Sequence, residues 1–415
     1  MQRRNRWLGA GALAVIGALA LSACGSGFNS SSGGSSSGKL TSSKKALTVL
    51  IGSSGPAETT AVTSAVASWS SSSGTSAKVI AATNLNQQLA QGFSSGKPAD
   101  VFYLGTDTLA GYASNGSLLA YGDMLKNKSD FYPALVKSFT YNGKFYCAPK
   151  DFSTLQLVIN QTMWDKAGLT SADVPTTWAQ LETVAKKLTT GKVVGLSMNG
   201  EYARIGAFMT EAGSNLTSAD GQPTANSAAN VAALTYVKKL LNDGVLKYAK
   251  NVGEGDGGQA LGAGKAAMTV EGNWVKGELS ADFPNVKYTA VPLPAGPAGK
   301  GTLSFSNCWG IAKGSPNQAA ALKLVEQLTT TKDQLAFSQA FGVLPSVQSA
   351  AAQWKSENPT LIPFLDGANY AQSPPTAKGA ADVVTNFNSK LETLATSDPK
   401  TILDAVQKNL QALPK

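Results

Sequence analysis

Gly264-Lys265-Ala266-Ala267-Met268-Thr269-Val270-Glu271-Gly272-Asn273-Trp274 sets a run of small and strand-forming residues between glycines and closes on a tryptophan. A short run of this kind bounded by breakers reads as a buried strand over 266–270. The glycine-rich lead-in from Gly255 to Gly264 has the look of a phosphate-binding loop. It fails that chemistry, which needs glycine where Gln259 stands and Ser or Thr where Ala266 stands. Working outward, further strands read at 47–51, 78–81, 100–104, 155–160, 193–198, 286–291 and 305–312. Helical stretches separate them. One ends near Trp69. A second starts after Thr177, with Gln180 three residues on and apolar positions at Trp178, Leu181, Val184 and Leu188. A third carries Val231, Leu234, Val237 and Leu241 and stops near Asp243-Gly244. The last starts at Asp398-Pro399, with Ile402, Val406 and Leu410 four apart. Strands alternating with helices argue an α/β protein with mostly parallel sheets.

The chain has 415 residues, 43% hydrophobic and 15% charged, enough for two lobes that each bury a core. It contains no histidine, which excludes Ser-His-Asp and Cys-His nucleophile pairs and the HExxH zinc site. Three cysteines are too few for a structural zinc site of the usual four ligands. No metal or other cofactor is expected. The net charge is +9, to which Arg3, Arg4 and Arg6 contribute three; the remaining lysines are scattered, without the stripe that nucleic-acid binding needs. Glycoside hydrolysis is the catalytic class that carboxylates alone can run. Asp100, Asp107, Asp151, Glu201, Glu254 and Glu271 are its candidate acids, and it stays open as an alternative.

The N-terminus is an address. Three arginines precede an uncharged apolar stretch from Trp7 to Leu21, then Ser22-Ala23-Cys24-Gly25, so residues 1–23 read as a secretory signal peptide. Leu21-Ser22-Ala23-Cys24 resembles the bacterial lipobox, which implies cleavage before Cys24 and lipidation of that cysteine. From Gly25 to Gly38, 12 of 14 residues are Ser or Gly, a composition that cannot bury enough apolar surface to fold. Residues 24–45 are therefore expected to tether the body to the extracytoplasmic face of a membrane.

Several blocks together resemble the family-1 extracellular solute-binding proteins of ABC importers, the group that includes maltose-binding protein. One is Gly96-Lys97-Pro98-Ala99-Asp100-Val101-Phe102, like the family's Gly-x-Pro-Asp-Val with Ala99 inserted. Another is Gly143-Lys144-Phe145-Tyr146-Cys147-Ala148-Pro149 followed by Ile159-Asn160-Gln161, where the family usually has Tyr-Asn-Lys. Ala167-Gly168-Leu169 and Pro175-Thr176-Thr177-Trp178 follow in order. The opening stretch, 264–274, resembles the family's Gly-Lys-Ala-Ala-Met and Gly-x-Trp. Pro292-Leu293-Pro294, Gly314-Ser315-Pro316-Asn317 and Gly342-Val343-Leu344-Pro345-Ser346 complete the series.

The resemblance implies a two-lobed type II periplasmic-binding-protein fold with a ligand cleft between the lobes. The first lobe would be 46–152 and 303–345, the second 153–302 and 346–415. It implies a monomer that captures a carbohydrate and delivers it to the permease subunits of an importer, served indirectly by a cytoplasmic ATPase. A polyamine or another small solute bound by the same fold is the alternative. Carried over position by position, the ligand set is Glu58, Asn84, Asp107, Asp151, Glu201, Tyr202, Arg204, Trp274 and Trp309. Acids and amides would take sugar hydroxyls and rings would take sugar C–H faces. Each position has a plainer reading beside it: a helix cap for Asp107, an ion pair for Arg204 and Glu201, core packing for Trp309. Maltose-binding protein has an acid near the first crossing where this chain has Ser153, so no particular sugar follows. In the resembled fold the strands carrying Cys147 and Cys308 are neighbours in the first lobe, which implies a disulfide between them; two buried, reduced thiols are the alternative.

Overall fold

The computed structural model describes residues 39–218 and 220–414. The signal peptide, Cys24 and most of the Ser/Gly stretch lie outside the described residues. The strands, in chain order, are β1 (Leu47–Ile51), β2 (Ala77–Ala81), β3 (Val101–Gly105), β4 (Thr140–Tyr141), β5 (Lys144–Phe145), β6 (Ala148–Pro149) and β7 (Ser153–Asn160). They continue as β8 (Val194–Met198), β9 (Leu246–Tyr248), β10 (Ala266–Gly272), β11 (Tyr288–Val291), β12 (Thr302–Phe305), β13 (Asn307–Ile311) and β14 (Ala371–Gln372).

Two sheets result. The first runs β2-β1-β3-β13-β6, with β2, β1 and β3 parallel and β13 antiparallel to both β3 and β6. The second runs β14-β12-β7-β10-β8-β9, with β11 also paired to β7. Its β10, β8 and β9 are parallel, while β7 runs against β10, β11 and β12. The expected parallel α/β pattern thus holds at the outer parts of both sheets and gives way to antiparallel pairing where the chain passes between lobes.

Local signals account for the helices that cover these sheets. Pro56 opens the helix Pro56–Ser73, whose Val62, Val66 and Trp69 face the first sheet, and Gly74 closes it in the left-handed conformation at φ 68°. At Trp178–Leu188, Thr177 Oγ1 accepts from Gln180 N at 3.3 Å, and Gln180 Oε1 accepts from Thr176 N at 2.8 Å. That helix buries Leu181, Val184, Ala185 and Leu188 against the second sheet; truncating Leu181 to Ala would cost about 2–5 kcal/mol. Asp398 caps Pro399–Gln411 through Thr401 N at 2.7 Å. Each lobe has its own core, and a third apolar cluster under the crossings joins Phe152 and Leu344 to Val158, Trp354 and Phe364.

Four boundaries differ from those expected. The single strand expected over 305–312 is two, broken at Ser306, whose Oγ donates to Asp151 O at 2.6 Å. Residues 303–305, expected in the first lobe, belong to the second, because Ser304 and Phe305 pair with Thr154 and Ser153 of β7. Residues 346–350, expected in the second lobe, pack with the first: Val347 and Ala350 lie in its core, and Ser346 Oγ donates to Pro149 O at 2.7 Å. The tether also ends before residue 45. Thr41 O accepts from Ala319 N at 3.0 Å, Thr41 Oγ1 accepts from Gln318 N at 3.1 Å, and Asn317 Nδ2 donates to Lys45 O at 3.1 Å. These bonds staple the segment to the start of the helix Gln318–Leu328.

Candidate ligand-binding cleft

Both sheets turn their carboxyl ends toward the crossings. β6 leads into Lys150 and Asp151, then β7 begins at Ser153; β12 ends at Phe305, and β13 begins at Asn307. The register places β13's first residue, Asn307, opposite Gly105 at the end of β3, and Gly272 at the end of β10 opposite Leu155 near the start of β7. Loops at the carboxyl ends of α/β strands are where ligands bind in open sheets.

On the first lobe these loops enclose a cavity of about 440 Å³ lined by Gly52, Ser53, Ala82, Thr83, Asn84, Leu85, Asn86, Gly105, Asp107 and Asn307. Asp107 is exposed in the first turn of the helix Thr106–Ser114, where a carboxylate also suits the helix dipole. A Cβ on Gly105 would collide with Asp107 Oδ1, so glycine there lets the carboxylate fold back over the strand end. Asn84 is exposed; it caps the helix Leu85–Ser94 by accepting from Gln87 N at 3.0 Å.

Glu58 and Asp151 were expected to face ligand, and both are buried instead. Lys150 Nζ, itself buried, donates to Glu58 Oε1 at 3.0 Å and to Asp151 Oδ2, and lies 4.5 Å from the centre of the Tyr103 ring. Tyr103 Oη donates to Glu58 Oε1 at 2.9 Å, and Ser54 N and Oγ donate to Glu58 Oε2 at 2.8 and 2.7 Å. Burial is the largest influence on the Glu58 carboxyl and pushes it up, but Lys150 and Ser54 together outweigh it and hold the group below its ordinary value. For Asp151, burial wins and the group is pushed up despite Lys150. This buried cation with two carboxylates braces the root of the first crossing.

The second lobe carries a similar triad at the ends of β8 and β10. Arg204 Nε and Nη2 donate to the two oxygens of Glu271 at 3.1 and 2.8 Å, and Nη1 donates to Glu201 Oε1 at 3.2 Å. Glu271 is 1% exposed, whereas the Glu201 side chain keeps 34% of its surface open. Burial pushes the Glu271 carboxyl up, with Arg204 opposing. Trp274 stands beside this pair. It is 37% exposed, one of three large apolar side chains so exposed among the described residues. Its Nε1 donates to Glu271 Oε2 at 3.0 Å, and the Arg204 guanidinium carbon lies 5.2 Å from its ring centre. Phe305 meets it edge-on at 6.2 Å. A Cβ on Gly272 would run into the Trp274 ring, which is the physical content of the Gly-x-Trp spacing. Since Phe305 leads through Ser306 to Asn307, the ring and the first-lobe cavity adjoin the same crossing.

Two expected site residues fall elsewhere. Tyr202 is 1% exposed in the second core, where its hydroxyl meets Asn215 Oδ1 and its ring packs on Phe387. Trp309 is 1% exposed, packed edge-on against Tyr103 with ring centres 4.8 Å apart. Both sit next to cleft residues in sequence but point into packing. Four residues outside the expected ligand set line or brace the candidate cleft: Asn307 lines the first-lobe cavity, Phe305 and Glu271 hold Trp274, and Lys150 holds the root of the crossing. Glu271 stood inside the opening stretch; the others carry no local signal, because each depends on what a distant segment brings to it. Of the six acids considered for hydrolysis, Asp100 is bonded to Thr48 and Ser315 at the far end of β3, and Glu254 pairs with Lys265. Asp151 and Glu271 are buried in ion pairs, so Asp107 and Glu201, on different lobes, are the acids left open.

Cys147 and Cys308 form a disulfide with Cα atoms 5.6 Å apart, within the span such bridges take.

The family described as bacterial extracellular solute-binding protein matches residues 72–363. A putative binding protein of Brucella abortus is 24% identical over 343 residues, which cover 78% of this chain and 82% of the relative. The diacetylchitobiose binding protein DasA of Streptomyces coelicolor is 26% identical over 285 residues, 65% of this chain and 66% of that protein. Among solved structures, the cyclic alpha-maltosyl-1,6-maltose binding protein from Arthrobacter globiformis shares the fold with a TM-score of 0.79. That likeness covers 88% of this chain and 98% of the other at 21% identity.

Proposed function

The chain belongs to the bacterial extracellular solute-binding proteins, with the two-lobed type II fold, and from that premise we propose that it captures an oligosaccharide for an ABC importer. The observation that carries this reading is Trp274, an indole held open beside the crossing with its N–H already satisfied. A ring so placed offers an apolar face to the C–H side of a sugar. Asp107, Asn84 and Asn307 on one lobe and Glu201 on the other offer acceptors and donors for hydroxyls. The relatives named for diacetylchitobiose and for cyclic maltosyl-maltose point the same way. The protein works outside the cytoplasmic membrane as a binder rather than an enzyme. In this reading Cys24 carries the lipid that keeps it there, a monomer, near the permease.

Calorimetry with N,N′-diacetylchitobiose, maltotetraose and spermidine tests it. Saturable one-to-one binding of a saccharide without hydrolysis is expected, and Trp274→Ala should weaken it by about thirtyfold or more, the scale of an aromatic anchor. Binding of spermidine alone, or release of shorter sugars, would overturn it. A Cys24→Ser protein should leave the membrane fraction; equal retention would remove the anchor from the reading.

A further inference from the structure

We propose that Arg204 and Glu271 are positioning residues that fix Trp274 in its ligand-ready orientation without touching ligand themselves. The inference rests on the oligosaccharide reading for what the ring does, and on the geometry alone for how the ring is held.

An indole left 37% open to solvent has little packing to choose its rotamer. Here three contacts choose it. Glu271 Oε2 accepts the ring N–H at 3.0 Å, and Glu271 cannot swing because Arg204 grips both of its oxygens at 3.1 and 2.8 Å. The guanidinium then lies 5.2 Å from the ring centre, a cation–π distance, and covers that face. Phe305 blocks an edge at 6.2 Å. Arg204 Nη1 donates to Glu201 at 3.2 Å, so each of its three nitrogens is bonded within the protein, and at 8% exposure it has little surface from which to read hydroxyls. Glu271, at 1% exposure, has no surface to offer a sugar either.

A buried ion pair is a poor device for stability, since well-packed apolar residues serve as well. What an apolar pair does not supply is an acceptor for an indole N–H. The pair therefore removes the ordering cost of the ring before ligand arrives, which is preorganisation. Arg204, expected among the ligand contacts, instead grips Glu271 and lies over the Trp274 ring.

A double-mutant cycle reads this directly. Trp274→Phe keeps an aromatic face and lacks the N–H. Dissociation constants for N,N′-diacetylchitobiose and maltotetraose are measured on the full chain as wild type, Glu271→Gln, Arg204→Lys, Trp274→Phe, and Glu271→Gln and Arg204→Lys each combined with Trp274→Phe. Glu271→Gln and Arg204→Lys should each weaken saccharide binding about fivefold to tenfold, and Glu271→Gln should add less than about twofold once Trp274 is Phe, the signature of coupled residues. An equal loss in both backgrounds would show that Glu271 acts independently of the ring and would overturn the proposal. A second measurement needs no ligand. In protein carrying 5-fluorotryptophan, the fluorine line that vanishes in Trp274→Phe belongs to residue 274. It should be one sharp line in wild type and should shift and broaden in Glu271→Gln and Arg204→Lys; an unchanged line overturns the proposal. If Glu271→Gln does not fold, Arg204→Lys decides both measurements. If wild type binds neither sugar, the oligosaccharide reading fails while the fluorine line still decides the positioning.

Discussion

At the scale of single residues, the two triads show how differently charge is used on the two sides of the cleft. Lys150 neutralises acids that never meet solvent, whereas Arg204 leaves Glu201 partly open beside Trp274. Replacing Lys150 by Met keeps length and removes the cation, leaving Glu58 and Asp151 facing each other in a buried site. Loss of one partner from such a pair costs about 3–5 kcal/mol, so Lys150→Met should lower the urea midpoint markedly at pH 7. It should lose less near pH 3, where the two acids can take up protons; an equal loss at both values would mean packing, not charge, is what Lys150 provides. None of this was legible beforehand. A lysine next to an aspartate in sequence is ordinary, and burial of both depends on Glu58, 92 positions away from Lys150. Trp274 entered through the resemblance to the family's Gly-x-Trp, and the short spacing has a local cause in the ring lying against Gly272. Trp309 misled because both faces of β13 are covered, so alternation along the strand does not say which side meets a cleft, and Tyr202 because it opens the helix Tyr202–Glu211 with its ring turned into the second core.

At the scale of elements, the strands over 47–51, 155–160 and 266–270 emerged from composition alone, since buried central strands are nearly continuous apolar runs. The break between β12 and β13 did not, because Phe305 to Ala312 reads as one such run and the interruption at Ser306 is imposed by the chain changing lobes. The disulfide belongs at this scale. It ties Cys147, just before β6, to Cys308 in β13, two segments that pair only after the intervening second lobe has been made. It spans a sequence separation of 161. A closed loop of that length corresponds to about 5 kcal/mol of denatured-state entropy, an upper figure for the stabilisation. Cys147→Ser with Cys308→Ser should therefore lower stability toward that amount in denaturant titration while leaving saccharide affinity within about twofold, since additivity holds for sites that share no partner. A large loss of affinity with little loss of stability would place the bridge in the binding apparatus instead.

For the whole molecule, the chain passes between lobes near 151–153, 305–307 and 342–346, and these passages are knitted to one another. Ser306 Oγ donates to Asp151 O, Lys150 N donates to Asn307 O at 2.9 Å, and Phe152 and Leu344 exchange backbone bonds at 3.1 and 3.0 Å. The crossings thus form one narrow, mutually bonded strip between the lobes. The exposed acids, Asp107 and Glu201, stand on opposite lobes, as do Asn84 and Trp274. Neither lobe alone presents both a ring and a full set of hydroxyl partners. A ligand shifts an open–closed equilibrium only by its difference in affinity for the two states, and under the proposed function that difference would come from contacts that a single lobe cannot make. Small-angle scattering should accordingly record a smaller radius of gyration when wild type is saturated with a saccharide it binds. Asp107→Asn and Trp274→Ala, one per lobe, should each demand more saccharide for the same contraction, and the two together should lose nearly all of it at concentrations that saturate wild type. Contraction that persists in the double variant would mean that closure is driven by contacts elsewhere, and the cleft would have to be redrawn away from the ends of β3 and β10.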